Sequence, residues 1–246
     1  MYCDIGALSY HNISPKVLRF TIKSIIFKKQ QGKNDFFIFF LAYMENNMYI
    51  CHAKSMRIDN MTKEQILKLK AVVLYIINKC GEIDFIHLFK ILYFAERKQY
   101  AEYGQHLVYD SFCALERGPV PSFLYDAVKN VAGLKYTSHN NMDILTNALA
   151  SGSGECHYML RATQAPDLDE LSEAEIEALD YSIAQNIHKD INTLSNDSHD
   201  EAWRQAWEKS HNSPMDVLMI AKAGGASDDF IEYIRENEIL ENYIKG

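Results

Sequence analysis

The stretch from residue 85 to residue 95 constrains the fold more than any other part of this sequence. It is apolar almost throughout, interrupted by one histidine and one lysine. A helix that is apolar on every side has to be enclosed by other elements, because no face of it suits water. Asp84 is placed to cap its first turn, and Gly104 follows its predicted end, where glycine enters the left-handed region at little cost. The sequence therefore predicts a buried central helix from Asp84 to about Ala101.

Further helices are predicted on both sides of this segment. Thr62 and Gln65 have the spacing of a capping box, and apolar residues then recur at helical spacing until Cys80 and Gly81. Other helix start and stop signals predict helices over 121–131, 172–188, 200–210, 213–224 and 227–243.

Two segments are rich in residues that favour strands, residues 107–115 and residues 157–162. We expect them to pair with each other. The predicted fold class is therefore mainly α: a helical bundle around one buried central helix, with a small antiparallel β element.

A short turn follows the first of these segments, with the sequence Glu116-Arg117-Gly118-Pro119-Val120. A Gly-Pro pair ends the secondary-structure element that precedes it, and Pro121 is well suited to the start of the next helix. Two interpretations stay open. The turn could serve only to aim the next helix onto the central one, or it could form a rigid, exposed edge for recognition.

Several motifs occur in a fixed order along the chain: Lys90-Ile-Leu-Tyr-Phe-Ala-Glu-Arg97, Tyr103-Gly104, Asp110-x-Phe-x-Ala114, Gly118-Pro119-Val120, Leu171-Ser172, Leu194-Ser195, and His199 with Trp203. Together they resemble the signature of the Panacea domain, the SocA-like antitoxin family of bacterial toxin–antitoxin pairs and phage-associated genes. The resemblance extends from about residue 62 to the C-terminus.

The resemblance implies an antitoxin that binds and neutralises a co-encoded protein toxin. Neutralisation would occur by direct occlusion, or by delivery of the toxin to a bacterial protease or its unfoldase. No cofactor is implied. Within the motifs, a structural role is expected for Tyr93, Gly104, His199 and Trp203.

Toxin contacts are predicted at the turn and beside it, because Arg and Tyr often dominate interface energies and Pro119 makes the turn rigid. The predicted toxin-binding residues are Tyr109, Glu116, Arg117, Gly118, Pro119 and Val120.

A metal-dependent hydrolase is the alternative function. His199-Asp200 resembles the dipeptide of metal-dependent phosphohydrolases, and His188 lies upstream of it. A histidine–aspartate pair just before a helix is also typical of a hydrogen bond at the helix start, and we favour that interpretation. The sequence contains no Gly-x-Ser-x-Gly, phosphate-binding loop or His-Glu-x-x-His motif. We therefore expect neither catalysis nor a metal.

Charge is unevenly distributed along the chain. Residues 1–60 hold eight Lys/Arg and four Asp/Glu, a net charge of +4. Residues 61–246 hold 17 Lys/Arg and 29 Asp/Glu, a net charge of −12. An acidic body disfavours nucleic-acid phosphates and suits a basic protein partner, so DNA binding is not expected. DNA binding through the basic first sixty residues is a weaker alternative.

Cysteine usage and hydropathy bear on the location of the protein. The five cysteines are scattered, which favours a reducing cytoplasm. No apolar run approaches the roughly 20 residues that a membrane helix needs.

The predicted domain organisation is an N-terminal extension over residues 1–60 and the antitoxin domain over residues 61–246. Three readings of the extension compete: an accessory hairpin, a basic arm, or sequence upstream of the true start. We favour the last, because the resemblance begins just after Met61.

Overall fold

The computed structural model of the chain describes residues 61–134, 137–152 and 158–245, with side chains as far as residue 237. The predictions for residues 1–60 lie outside these ranges. The elements in the described ranges are, in chain order, α1 (Lys63–Cys80), β1 (Ile83–Asp84), α2 (Phe85–Tyr103), β2 (Phe112–Leu115), β3 (Gly118–Pro121), α3 (Ser122–Val131), α4 (Asp143–Thr146), β4 (Leu149–Ser151), β5 (Met159–Ala162), a 3-10 helix (Leu168–Glu170), α5 (Glu173–Asn186), α6 (Ile191–Asp197), α7 (Glu201–Lys209), α8 (Val217–Ala223) and α9 (Asp228–Lys245).

The central helix is α2, and its predicted burial is confirmed. Leu88, Ile91 and Leu92 are completely buried, as is most of the helix surface. The carboxylate of Asp84 accepts hydrogen bonds from two backbone amides of the first turn, and Gly104 ends the helix at φ 65°. Helices α1, α5, α6 and α8 pack against α2, together with β1 and β3. The fold class is mainly α with a minor antiparallel β component, as predicted.

Helix starts are the best-predicted local features. The capping boxes at Thr62 and Ser172 are both present, each with reciprocal hydrogen bonds to the third helical residue. Helix α7 begins after Asp200, whose side chain accepts a hydrogen bond from the amide of Trp203. These signals are local in sequence, so they do not depend on distant packing.

The predicted pairing of residues 107–115 with residues 157–162 is wrong. β2 pairs with β3, from Phe112 opposite Pro121 to Leu115 opposite Gly118. β5 lies instead between β1 and β4 in a three-stranded antiparallel sheet. The physical reason is that a two-residue turn brings the chain straight back along β2, and closing so short a loop costs less entropy than closing a long one.

The predicted helix start at Ser213 is also wrong. The amide of Ala114 donates to the carbonyl of Ser213 at 2.8 Å, so this segment runs beside β2 as an irregular third strand. Helix α8 starts later, because the carboxylate of Asp216 accepts hydrogen bonds from the amides of Leu218 and Met219. The predicted stop at Gly224 is confirmed.

The last two helices cover the C-terminal end of α2. Tyr100 forms a hydrophobic cluster with Ala221 of α8 and with Ile231 and Ile234 of α9. Gly104 lies close to this cluster, since a β-carbon there would be 3.0 Å from Cγ1 of Ile234. No helix in the described ranges is both long enough and apolar enough to cross a membrane.

Candidate functional site

The candidate site is the turn of the β2–β3 hairpin. Because Leu115 pairs with Gly118, only Glu116 and Arg117 form the turn itself. Gly118 follows at φ +95°, a conformation that residues with a side chain rarely adopt. Glu116 is exposed and Arg117 is half-buried.

The backbone on both sides of this turn is anchored to the helices beneath it. Nζ of Lys90 donates to the carbonyl of Pro119 at 2.8 Å, and Nε1 of Trp203 donates to the carbonyl of Leu115 at 2.8 Å. The ring of His199 lies beside this anchor, stacked on Trp203 with ring centroids 3.8 Å apart. The outer edge of β2 is also bound, since the amide of Met215 donates to the carbonyl of Phe112 at 2.8 Å. The position of the turn is therefore fixed from several directions.

Gly118 allows the hairpin to approach the helices this closely. A β-carbon at this position would be 2.2 Å from Oγ of Ser198 and 2.8 Å from Nζ of Lys90. Both distances are far inside van der Waals contact, and the first partner is a short side chain with little freedom to move. Glycine is required here twice, for its backbone conformation and for its lack of a side chain.

A partly buried polar network lies under the hairpin, centred on the carboxylate of Asp200. Its Oδ2 accepts hydrogen bonds from Oη of Tyr93 at 2.7 Å and from Nη1 of Arg97 at 2.9 Å. Its Oδ1 accepts from the amide of Trp203 at 3.1 Å. Since Tyr93 and Arg97 are one turn apart on α2, they reach the same carboxylate from one face of the helix.

Lys90 lies one turn before Tyr93 on the same helix and is completely buried. Burial lowers the pKa of its ammonium well below the usual value, although the negative charge of Asp200 acts in the opposite direction. Burying an unpaired cation is costly, so this lysine depends on Asp200 and on the carbonyl of Pro119.

Aromatic rings form a stack that runs from this network towards the surface. His199 is stacked on Trp203 with ring centroids 3.8 Å apart, and Trp203 on Trp207 at 5.3 Å. Burial, with Lys90 nearby, lowers the pKa of His199, which favours a neutral ring. The predicted structural role of His199 and Trp203 is consistent with these contacts.

Tyr109 lies at the opposite end of β2 from the turn. Its ring is 5.5 Å from that of His106, whose Nδ1 is 2.7 Å from Oε1 of the buried Glu96. Tyr109 itself is 52% exposed. Tyr109 precedes β2, and at a rise of about 3.3 Å per residue the strand that lies between it and the turn spans about 13 Å. The structure does not bring the two predicted contacts together.

The other predicted toxin-binding residues divide by exposure. Gly118, Pro119 and Val120 are buried, so they support the turn from inside the fold. The side chain of Arg117 extends towards the start of α6, with Nη1 3.5 Å from Oδ1 of Asn192. The exposed part of the predicted surface therefore consists of Glu116, Arg117 and, at a distance, Tyr109. Their toxin-binding role stays a prediction.

The histidine–aspartate pair of the alternative hydrolase does not form a metal site with His188. All three residues are described, and no group of three His, Cys, Asp or Glu in the described ranges is placed to hold a metal ion. His188 is exposed on the surface, whereas Asp200 accepts three hydrogen bonds inside the fold. The helix-start interpretation of Asp200 is the one that the structure supports.

Sequence reasoning assigned no individual role to Lys90 or Arg97 and did not identify Asp200, which binds Arg97 and supplies a negative charge near Lys90. One signal was available: a lysine inside an otherwise apolar helix needs a buried partner. The partner itself could not be found from sequence, because Asp200 lies 110 residues further along the chain.

Comparison with known proteins identifies the family of this segment. A family model described as "Antitoxin SocA-like, Panacea domain" matches residues 88–204. No curated protein and no solved structure matches the chain. The matched segment extends from α2 into α7 and contains the hairpin, Lys90 and Asp200. The match supports an antitoxin role. Residues 88–204 are therefore similar to the SocA-like Panacea domain of antitoxins.

Proposed function

We propose that this chain is an antitoxin that binds a co-encoded protein toxin with the turn of its β2–β3 hairpin. The observation that supports this proposal is the anchoring of the turn from below. Lys90 and Trp203 donate hydrogen bonds to the backbone on either side of the turn, while Glu116 is exposed and Arg117 is half-buried. A surface that is ordered before binding loses little conformational entropy on association, which favours tight binding.

Direct occlusion is the route that we propose for neutralisation. A fixed turn can cover a site on the toxin without any further partner, and the role is one of binding rather than catalysis. Delivery to a protease or its unfoldase would require a second surface for that partner. The two routes differ in the fate of the toxin: occlusion leaves it intact in a complex, whereas delivery lowers its amount in the cell.

Arg117→Ala tests the role of the turn. The toxin, taken as the product of the adjacent reading frame, is co-expressed with either version of the antitoxin, and growth is measured. We expect the variant to lose rescue while its melting temperature stays nearly unchanged, because surface arginines contribute little to folding and much to interfaces.

Arg204→Ala is the matched control. Arg204 is an exposed arginine on α7 that pairs with Glu201 at 3.1 Å. Its removal should change neither rescue nor melting temperature. If Arg117→Ala lowers both the melting temperature and rescue, the turn stabilises the fold, and the loss of rescue is not evidence for toxin binding by Arg117. A stable Arg117→Ala protein that rescues fully would exclude Arg117 from the interface.

A further inference from the structure

A cleft lies against α2, bounded by α5, α6 and α8. Its volume is about 450 Å³, within the range of pockets that hold ligands. Phe94, Arg97 and Lys98 line it from α2, and Tyr181 and Gln185 line it from α5. The cleft lies apart from the hairpin turn, and the function proposed above does not use it.

Three cations converge on this cleft, in a chain whose net charge is −8. They are Arg97, Lys98 and Lys189. Arg97 is held by Asp200 in the partly buried network described above. The two lysines instead pair with carboxylates at the surface. Lys98 pairs with Glu102, and Nζ of Lys189 is 2.8 Å from Oδ2 of Asp197.

Aromatic rings hold these cations in place. Cζ of Arg97 lies 4.9 Å from the centre of the Phe94 ring, and Nζ of Lys189 lies 6.0 Å from it. Nζ of Lys98 lies 5.1 Å from the centre of the Tyr181 ring. A cation over an aromatic face is favoured by the charge distribution of the ring. These ring contacts do not involve the acidic partners of the two lysines.

The acidic partners of the two lysines can be exchanged. The side chains of Glu102 and Asp197 are 46% and 43% exposed, and ion pairs at such sites contribute little to stability. Carboxylates from another molecule could replace them at little cost to the fold. The amide of Gln185, exposed on the cleft wall, offers both a donor and an acceptor, as recognition of a peptide backbone requires.

We propose that this cleft binds an acidic peptide segment of the toxin, whose carboxylates replace Glu102 at Lys98 and Asp197 at Lys189. This inference rests on the proposed antitoxin function. Helix α6 connects the two surfaces, since Asn192 near its start contacts Arg117 and Asp197 at its end lines the cleft. At about 1.5 Å per residue, these positions are about 8 Å apart along the helix, so one toxin can contact both.

The experiment measures the dissociation constant between the intact chain and the product of the adjacent reading frame by calorimetry, at low and at high salt. Lys98→Gln combined with Lys189→Gln should weaken binding at least about tenfold and flatten its salt dependence, because charge pairs with the toxin are lost.

Lys79→Gln is the matched control. Lys79 also pairs with a carboxylate, Asp180, at 3.2 Å, and lies over the ring of Tyr75 at 5.2 Å, yet it is not part of the cleft. Its removal should leave the affinity for the toxin unchanged. Equal losses of affinity in the control and in the cleft variant would overturn the proposal.

A second variant changes the affinity in the opposite direction. Glu102→Gln combined with Asp197→Asn removes the two carboxylates that pair with these lysines, so the toxin should bind several-fold more tightly. If both double variants bind with the affinity of the unaltered chain, the cleft is not a toxin site, whereas the turn proposal stands on its own test. Absence of binding by the unaltered chain overturns the proposed function and this inference together.

Discussion

At the scale of single residues, Gly118 is the most restricted position in the hairpin. Its φ of +95° disfavours any side chain, and an added methyl group would overlap Oγ of Ser198. The backbone strain alone costs about 1–3 kcal/mol, and overpacking of a filled site costs a further 1–3 kcal/mol or so. We therefore expect Gly118→Ala to lower the free energy of unfolding by about 2–6 kcal/mol, measured by urea denaturation.

Gly133→Ala separates the two causes. Gly133 also has a positive φ, +68°, but a β-carbon there meets nothing within 4 Å. The free energy of unfolding of this variant should therefore fall only by the cost of backbone strain. Equal losses for Gly118→Ala and Gly133→Ala would mean that the hairpin can move away from Ser198 and Lys90 freely, contrary to the anchoring described above.

The residue scale also shows where sequence reasoning stops. The turn and its glycine were predicted from the Gly-Pro pair, a local signal. The proximity of Asp200 to Lys90 was not predicted, because it depends on how α2 and α7 pack. Burial of Gly118, Pro119 and Val120 follows from the same anchoring, so it could not be read from the turn sequence either.

At the scale of elements, helix α3 is capped by a residue outside it. Its own N-cap is Pro121, which has no side-chain hydrogen bond to offer. Asp110 takes this role: its two carboxylate oxygens accept from the amides of Phe123 and Leu124, both at 2.9 Å. Burial raises the pKa of Asp110 from 3.8 to about 7. The backbone hydrogen bonds oppose this rise, whereas the negative charge of the nearby Asp126 adds to it.

This raised pKa predicts a pH dependence of stability. Between pH 3.8 and about 7, the folded protein holds a proton on Asp110 that the unfolded chain releases. The contribution of Asp110 to stability is therefore fully present below pH 3.8 and is lost as the pH rises towards about 7. Asp110→Asn should remove this slope from the unfolding free energy, while lowering stability in acid because one acceptor is lost.

Asp216→Asn is the control, since Asp216 caps α8 with two amide hydrogen bonds but lies in an exposed position. Chemical denaturation at several pH values from about 4 to about 7 compares the three proteins. An unaltered slope in Asp110→Asn would show that another group causes the pH dependence.

Elements differ in how far the sequence determined them. The caps of α1, α2, α5 and α7 were predicted because each depends on residues within one turn of the helix. The strands were paired wrongly because each has only two to four residues. Strands so short carry little register information of their own, and packing against α1 and α2 selects their partners. The start of α8 was misplaced for a related reason: Ser213 joins the edge of β2, a contact between distant residues.

At the scale of the whole molecule, the chain extends beyond the segment that matches the family model. The match ends at residue 204, whereas α8 and α9 continue and bury the end of α2 through Ala221, Ile231 and Ile234. Gly224 brings α8 very close to α2, since a β-carbon there would be 2.4 Å from the carbonyl oxygen of Arg97. The two C-terminal helices thus complete the enclosure of the central helix, which an apolar helix of this kind requires.

The N-terminal boundary leads to the last prediction. We expect a protein comprising residues 61–246 to fold, with a melting temperature close to that of the full chain, and to rescue cells from the toxin equally well. The first turn of α1 needs nothing upstream: Oε1 of Gln65 accepts from the amide of Thr62 at 2.9 Å, and Oγ1 of Thr62 accepts from the amide of Gln65 at 3.3 Å. Circular dichroism melts and the growth assay compare the two proteins. Aggregation of the shorter protein would mean that the apolar run at residues 36–42 covers part of the core, and residues 1–60 would then belong to the domain.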